Sequence, residues 1–398
     1  MNGLREKIER EIRERGPLPF SRYMEICLYD SEFGYYSRNA AQFGKAGDFY
    51  TSSDVHALFG RLLARQFDEM WRVLGSPARI MLKELGPGRG LFAQDVLDWS
   101  KKKFPDFFHA VQYRLDERSP ALRQRIESTL RRHLESGKAV LASNTEFFEA
   151  SNGEGTTSVV PQKALYDRAL APEAPIIAFA NEFFDALPVE ILSSEGSLRI
   201  DTRNGHFVET WAQPSPEELE FLDRYSIHPE RGERVEVPLQ AQAHMNAAAN
   251  LTRGFAVVID YGYTRAEQLA GRHRGTVKAI RQHSVSDNPY EAPGEQDITA
   301  DVNFTALAAA AEECGMQAQT LVTQSQFLLG IGEANEFADA FEECRLPQER
   351  AKVALQLKHL VTPAGMGESF HVLVASKGIE GEKIAALAGL NFGHRDTR

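Results

Sequence analysis

The chain has 398 residues, of which 42% are hydrophobic and 25% charged, the balance of a globular protein with one large α/β domain or two domains. Its 56 acidic and 45 basic side chains give a formal net charge of −11. That charge disfavours a non-specific nucleic-acid binder, which would need Lys and Arg on phosphates. No apolar run is long enough to span a bilayer, so we expect no membrane insertion.

The cysteines and the first residues indicate the compartment. Cys27, Cys314 and Cys344 lie far apart with no CxxC pair, so the sequence predicts neither a zinc site nor a disulfide framework. Segment 1–15 has the pattern of an amphipathic helix and is rich in Glu, which argues against a signal peptide and against an acid-poor transit peptide. We therefore expect a cytoplasmic protein without a metal.

The N-terminal region, 1–75, is predicted to be helical around a long loop. Its pattern predicts two short helices and then, over 55–74, a longer one. The stretch between them is rich in Gly, aromatic and hydroxyl residues and includes Asp48, Phe49 and Thr51. Such a stretch is typical either of a lid over a ligand site or of an aromatic loop packed on a sheet end. Composition alone does not decide between the two.

The stretch 79–90 is the pattern around which the chain is organised. Its apolar residues predict a buried strand, and a helical pattern begins at Leu91. The connection reads E-L-G-P-G-R-G and contributes Glu84, Gly86, Pro87, Gly88 and Gly90. Strand, glycine turn and helix are typical of nucleotide-binding α/β folds, because the missing side chains let the backbone approach a ligand at the helix start. An ordinary glycine turn after a strand remains the alternative.

The spacing of this turn indicates the kind of nucleotide. It reads E-x-G-x-G-x-G rather than the dinucleotide fingerprint G-x-G-x-x-G, which disfavours an NAD-dependent oxidoreductase. The Glu84 carboxylate would repel a pyrophosphate but suits a cationic ligand. S-adenosylmethionine (SAM) carries a sulfonium and an ammonium, and the run resembles the first motif of SAM-dependent methyltransferases.

A second strand is predicted over 111–117, and it ends in acidic residues. Ser119 then has the position of a helix N-cap, with Pro120 first in the helix. An acid at the end of the second strand is where this class of fold binds ribose hydroxyls, so we assign Glu117 to the ribose. The alternative is that Glu117 only complements the positive end of the following helix.

A fully buried strand over 175–180 is counted as the fourth of the sheet, beside the first. It is followed by N-E-F-F-D-A-L-P, which holds Asn181, Glu182 and Asp185. Ligands of open parallel sheets bind beyond the carboxyl ends of the strands near the switch point. We therefore predict that these polar side chains face the reacting methyl group. The alternative is a capped helix start, with Asn181 as the cap.

The remaining elements divide the chain further. Residues 76–190 are predicted to form the SAM-binding half of the core. Asn204-Gly205 between alternating runs predicts a hairpin, within an inserted subdomain over 191–252. A buried strand, a helix and two late strands over 253–398 are expected to complete the core.

Several motifs together resemble the MidA-like family of SAM-dependent methyltransferases. They occur in order over nearly the whole chain: G-D-F-Y-T-S at 47–52, E-L-G-P-G-R-G at 84–90, E-R-S-P at 117–120, N-E-F-F-D-A-L-P-V at 181–189, I-D-Y-G at 259–262 and P-G-E-Q-D-I-T-A at 293–300. The resemblance implies an α/β, Rossmann-like seven-stranded core with an N-terminal helical and lid region and an inserted region. A departure occurs at Asp301-Val302-Asn303-Phe304, where the family pattern has a histidine.

The resemblance implies SAM as the methyl donor. Mitochondrial members of the family are protein-arginine methyltransferases needed for assembly of respiratory complex I. The resemblance implies a protein partner with an accessible arginine, such as a subunit of a respiratory complex. It also implies a bacterial member of the family, for which a homodimer is possible. The cofactor would contact the glycine turn, Glu117 and the lid residues, and the acceptor would contact Asn181, Glu182 and Asp185. A non-catalytic SAM-binding assembly factor and a small-molecule methyltransferase are the alternatives.

Overall fold

The computed structural model describes residues 3–38, 57–142, 174–281, 284–286, 288–333 and 335–392. Its strands are β1 Leu18–Pro19, β2 Ile80–Leu85, β3 Val111–Asp116, β4 Ala139–Leu141, β5 Ile176–Asn181, β6 Glu190–Ser193, β7 Gly196–Arg203, β8 His206–Ala212, β9 Val235–Val237, β10 Gly254–Tyr263, β11 Lys278–Arg281, β12 Ser284–Ser286, β13 Asp297–Thr299, β14 Val302–Asn303, β15 Gln317–Ala318, β16 Val322–Thr323 and β17 Phe370–Lys377.

The α-helices alternate with these strands over much of the chain. They are α1 Gly3–Arg15, α2 Phe20–Tyr29, α3 Tyr35–Arg38, α4 Ala57–Val73, α5 Leu91–Lys103, α6 Pro105–Ala110, α7 Pro120–Thr129, α8 Arg131–Glu135, α9 Pro216–Tyr225, α10 Leu239–Ala249, α11 Arg265–Leu269, α12 Phe304–Glu313, α13 Gln324–Glu333, α14 Ala338–Phe341, α15 Pro347–Val361 and α16 Gly381–Ala385. No helix in the described ranges is long and apolar enough to cross a membrane.

A mixed sheet forms the centre of the molecule, in the order β15-β17-β10-β5-β2-β3-β4. Strands β4, β3, β2, β5 and β10 are parallel, and β17 runs antiparallel to β10. The predicted α/β class is therefore confirmed, and the fourth strand does lie beside the first. Among the residues that the structure describes, the sheet has nine strands rather than the expected seven, because β14 pairs with β10 and β16 with β17 outside the continuous order.

Helices cover both faces of this sheet. Alternate residues of β5 face opposite sides: Ile177 and Phe179 join the core that includes α4 and α5, whereas Ala178 and Ala180 join the core that includes α10 and α12. A strand buried on both faces reads as a continuous apolar run, which is why β5 could be found from its sequence.

The inserted region adds a second sheet, in the order β1-β7-β6-β9 with β8 on β7. The predicted hairpin is present, because Arg203 pairs with His206 around Asn204 and Gly205. Both turn residues have positive φ, 52° and 74°, as a two-residue hairpin turn requires. Strand β1 comes from the N-terminal region, so this region and the insertion share one sheet. The domain boundaries themselves stay predictions.

The strands β5 and β10 approach each other closely at Gly254. A Cβ placed there would lie 1.8 Å from the carbonyl oxygen of Ile176, and the residue has a φ of 144°. We predict that Gly254→Ala lowers the free energy of unfolding by about 2 kcal/mol or more, since the strands must separate to admit the methyl group. Urea unfolding measures this. The matched control is Gly381→Ala, at a position where a Cβ meets nothing within 4 Å, and an equal loss in both variants would contradict the prediction.

Candidate functional site

The predicted glycine turn joins β2 to α5. Gly86, Gly88 and Gly90 have φ of 63°, 55° and 75°, a region that costs other residues energy. A Cβ at Gly88 would meet nothing within 4 Å, so the backbone there borders open space. A Cβ at Gly90 would lie 3.2 Å from Leu130, which makes Gly90 a position of close helix packing rather than of ligand contact. The turn therefore borders open space at Gly88, whereas a Cβ at Gly86 would lie 2.6 Å from the Phe183 ring.

Glu84 is the residue before the last of β2, close to the glycine turn, and its side chain is buried, with 4% of the residue exposed. The hydroxyl of Tyr113 on the neighbouring β3 donates a hydrogen bond to its Oε2 at 2.8 Å. Burial, with a smaller contribution from the nearby Glu117, raises the pKa of Glu84 to about 8, although the hydrogen bond from Tyr113 opposes this shift. A carboxyl group held in this way gains from a cation placed beside it, because the cation restores the solvation that burial removes.

Glu117 follows β3 and bridges the two loops at this end of the sheet. Its Oε2 accepts from the backbone N–H of Gly88 at 3.2 Å, and its Oε1 accepts from that of Ser119 at 2.8 Å. Ser119 in turn caps α7, because its side chain accepts from Leu122. Burial raises the pKa of Glu117 to about 7. Glu117 thus has the structural contact that the alternative reading expected, and it also lines the cleft described below; its role at the ribose stays a prediction.

The loop after β5 is a tight turn over 182–187 rather than the helix start considered as an alternative. Glu182 has a φ of 49°, an uncommon conformation for a residue with a side chain. Its Oε1 accepts a hydrogen bond from Nδ2 of Asn181 at 3.1 Å, and its backbone N–H bonds to the carbonyl of Ile259. Strained backbone of this kind persists where the surrounding structure fixes it.

Asp260, at the end of β10, fixes this turn. Its Oδ2 accepts from the backbone N–H groups of Phe183, Phe184 and Asp185 at 3.2, 3.0 and 3.3 Å. Asp260 is fully buried, and burial raises its pKa despite these donors. The sequence identified Asp260 only as the end of a strand.

Asp185 is turned toward the same space and is 6% exposed. The hydroxyl of Tyr261 donates to its Oδ2 at 2.6 Å, whereas its Oδ1 is buried and makes no hydrogen bond of acceptable geometry. Oδ1 of Asn181 is also buried and accepts no hydrogen bond from the described residues. Buried acceptors without donors cost free energy, so this part of the cleft is suited to a ligand that donates hydrogen bonds.

One cleft collects nearly all of the predicted residues that the structure describes. It encloses about 1350 Å³ of empty space, its open mouth included, and it is lined among others by Glu84, Gly86, Pro87, Gly88, Glu117, Asn181, Glu182 and Asp185. Gly90 does not line it. Asp48, Phe49 and Thr51 lie outside the described residues. The predicted site is therefore assembled from three strand ends at one edge of the sheet.

Among the lining residues that were not predicted are Tyr29, Tyr36, Phe183, His244 and Asp297. The rings of Tyr29 and Tyr36 lie 5.4 Å apart, and the Tyr36 hydroxyl donates to Oδ1 of Asp297 at 3.0 Å. Burial lowers the pKa of His244 to about 4, so its imidazole is neutral. Asp297 belongs to the P-G-E-Q-D-I-T-A motif, and Tyr36 lies in an aromatic stretch that follows the second helix. Only the fold shows that the two side chains meet.

The departure at 301–304 lies at Asp301, which stands where the family pattern has the histidine; its carboxylate lies 3.3 Å from Nζ of Lys278 and 2.9 Å from Nδ1 of His273. The Asn303 that follows matches the pattern. Asn303 is the N-cap of α12, where its Oδ1 accepts from the backbone N–H of Ala306 at 3.0 Å. Its Nδ2 donates to the carbonyl of Tyr225 at 3.0 Å. Asn is among the strongest N-cap residues, so the side chain at this position serves the helix.

A mixed sheet with this strand order, and a cleft at its switch point containing a glycine turn and acids, define a SAM-dependent methyltransferase. Residues 62–322 match the model of a family described as "Putative S-adenosyl-L-methionine-dependent methyltransferase". The chain belongs to this family, the MidA-like methyltransferases.

Relatives and a solved structure agree with this membership. The chain is 30% identical to "Protein arginine methyltransferase NDUFAF7 homolog, mitochondrial" of Drosophila melanogaster over 94% of its own length and 85% of that protein. It is 28% identical to the NDUFAF7 protein of Homo sapiens, over 91% and 80% respectively. A crystal structure from Burkholderia thailandensis bound to S-adenosyl-homocysteine is 26% identical, has a TM-score of 0.77 and covers 97% of this chain and 94% of that one.

SAM is the cofactor, and the cleft fits it. Gly88 leaves room for a ligand against the backbone, and the buried Glu84 carboxyl group is placed to receive a cationic amino group. Glu117 presents a carboxyl group to the same space from the end of β3. A sulfonium and an ammonium on one ligand match two acids better than a pyrophosphate would.

We predict that the stability of the cofactor-free protein depends on Glu84 in a pH-dependent way. Its pKa of about 8 lies above the unfolded value of 4.5, so its favourable contribution is complete below pH 4.5 and is lost as the pH rises toward 8. Glu84→Gln cannot titrate and can still accept from Tyr113. The variant should therefore gain on the wild type by a few kcal/mol between pH 5 and pH 8. Urea unfolding at both pH values measures this, and a pH-independent difference would contradict it.

Proposed function

We propose that this protein is a protein-arginine N-methyltransferase, which moves the methyl group of SAM to a guanidinium nitrogen of a polypeptide acceptor. The observation that carries the proposal is the group of unpaired acceptors at the end of the cleft, Oδ1 of Asn181 and Oδ1 of Asp185, next to the Glu182 carboxylate. The relatives named protein arginine methyltransferases support it.

A guanidinium suits this group of side chains. It is planar, stays protonated and carries five N–H donors, which carboxylates can accept in pairs. Asp185 is held by Tyr261, and Glu182 by Asn181, so both carboxyl groups have fixed directions before a ligand arrives. Fixed acceptors lower the cost of orienting the acceptor nitrogen.

The reaction requires little acid–base chemistry from the protein. SAM supplies a methyl group on a sulfonium; the N–C bond forms as the C–S bond breaks, and S-adenosylhomocysteine is released. Glu182 and Asp185 orient the guanidinium so that one nitrogen points at the methyl carbon, and they stabilise its charge. The proton leaves that nitrogen only after the transfer, so no strong base is needed beforehand. The walls at Tyr29, Tyr36 and Phe183 exclude water from the reacting atoms.

The partner is proposed to be a protein with an accessible arginine, of which a subunit of a respiratory complex is one case. The relatives are named mitochondrial. For this chain, a cytoplasmic bacterial location and a homodimer stay predictions. The net charge of −11 suits a basic acceptor segment.

The experiment that tests this function has two parts. Isothermal titration with SAM, and with NAD as the control, should show heat for SAM alone. Incubation with methyl-labelled SAM and lysate from a strain that lacks this protein should then label proteins, and hydrolysis should release methylarginines. Labelled methyl on another residue type, or on small molecules alone, would reject the arginine assignment.

We predict that Glu182→Gln abolishes methyl transfer and leaves SAM binding unchanged. The amide can still accept from Asn181, so the turn is retained, but it cannot pair with a guanidinium as a carboxylate does. Labelled-methyl transfer and SAM titration measure the two effects. Glu127→Gln, an exposed change on α7, is the control for the loss of a charge. Loss of SAM binding in Glu182→Gln would instead assign Glu182 to the cofactor.

A further inference from the structure

A second cleft begins where the first one ends. It contains about 1520 Å³ of empty space, its open mouth included, and Glu182 lines both clefts. Its walls come from the end of β10, from α11, from β11 and β13, and from the segment before β17. The unusual backbone of Glu182 therefore places one carboxylate between two spaces.

Tyr261 connects the second cleft to the acceptors of the first. It lines the second cleft, while its hydroxyl donates to Asp185 in the first. The ring is held by Phe370, at 5.6 Å between centroids, and Lys278 lies over it at 5.8 Å. The partition between the two clefts is thus formed by the side chains that would hold the guanidinium.

The second cleft is acidic overall. It is lined by four carboxylates, those of Glu182, Glu267, Asp301 and Glu368, and by two permanent cations, Arg272 and Lys278. Both cations are already neutralised within the wall, because Lys278 lies 3.3 Å from Asp301 and Arg272 lies 3.9 Å from Glu267. At the rim, Glu368 is exposed and forms no ion pair with any residue that the structure describes. The uncompensated charge at the mouth of the cleft is therefore negative.

His371 adds a neutral polar group to the wall. Burial lowers its pKa, and its Nδ1 is buried without a hydrogen-bond partner in the described part of the chain. The imidazole is therefore neutral near pH 7 and can exchange a hydrogen bond with an uncharged group such as a peptide amide. A cleft lined by acids together with a neutral polar group suits a basic polypeptide better than a compact cation.

We propose that the second cleft is the docking site of the acceptor, a basic extended polypeptide segment whose arginine side chain passes Glu182 to reach the methyl group. The inference rests on the proposed function. In-line displacement requires the acceptor nitrogen to approach from the side opposite to the sulfur, and SAM occupies the first cleft. The second cleft is the space that meets the first at the acceptor carboxylates, and Glu368 attracts a basic residue that flanks the arginine.

The test compares wild type, Glu368→Arg and Glu127→Arg, since both positions are exposed acids and α7 lies toward the opposite edge of the sheet. The probe is transfer of tritiated methyl from SAM to lysate proteins, with titration of S-adenosylhomocysteine in parallel. Glu368→Arg should slow transfer about fivefold or more at low ionic strength, with a smaller deficit at high salt, because the repulsion is screened. Cofactor affinity should stay unchanged in both variants, and Glu127→Arg should transfer at the wild-type rate.

The outcomes distinguish an error in the docking site from an error in the proposed function. Equal transfer by wild type and Glu368→Arg overturns the docking site and leaves the proposed function standing. A weaker affinity of Glu368→Arg for S-adenosylhomocysteine also overturns it, because the effect would then arise at the cofactor. Absence of transfer by the wild type overturns the proposed function and the docking site together.

Discussion

The site depends on one buried carboxyl group, that of Asp260. It accepts hydrogen bonds from three successive backbone N–H groups of the turn after β5, although it lies on the neighbouring strand β10. The turn thereby acquires a fixed conformation, including the positive φ of Glu182, without a helix to support it. Removing such a carboxyl group would leave several buried donors unsatisfied, which costs more than the loss of any one hydrogen bond. The acids that are proposed to orient the acceptor are positioned by this contact.

The position of Glu182 explains how one sheet edge can serve two ligands of similar charge. SAM and a guanidinium are both cationic, and under the proposed function each would have its own acids: Glu84 and Glu117 on the side of β2 and β3, Asp185 on the side of β10. Glu182 lies between the two sets and borders both clefts. Separate acids reduce competition between donor and acceptor, which would otherwise bind to the same carboxylates.

The sequence predicted what is local. Glycines with positive φ, apolar strands buried on both faces and the Asn204-Gly205 hairpin all have signals within a few residues, and each was found close to its place. The partners of these elements could not be predicted in the same way. Asp260 supports a turn some 75 residues earlier, and Tyr36 meets Asp297 only after the chain has folded. Strand β14 was missed because it contains only two residues.

The pairing of β1 with β7 has a consequence for synthesis of the chain. Leu18 pairs with Ile200, about 180 residues later, and Leu4, Ile8 and Ile12 belong to the same apolar cluster as Ile200. At a ribosomal rate of about 5–20 residues per second, the first helices wait on the order of ten seconds or more for their partner strand. During that interval their apolar faces lack the strand that later covers them, so α1 and α2 reach their final contacts long after they leave the ribosome.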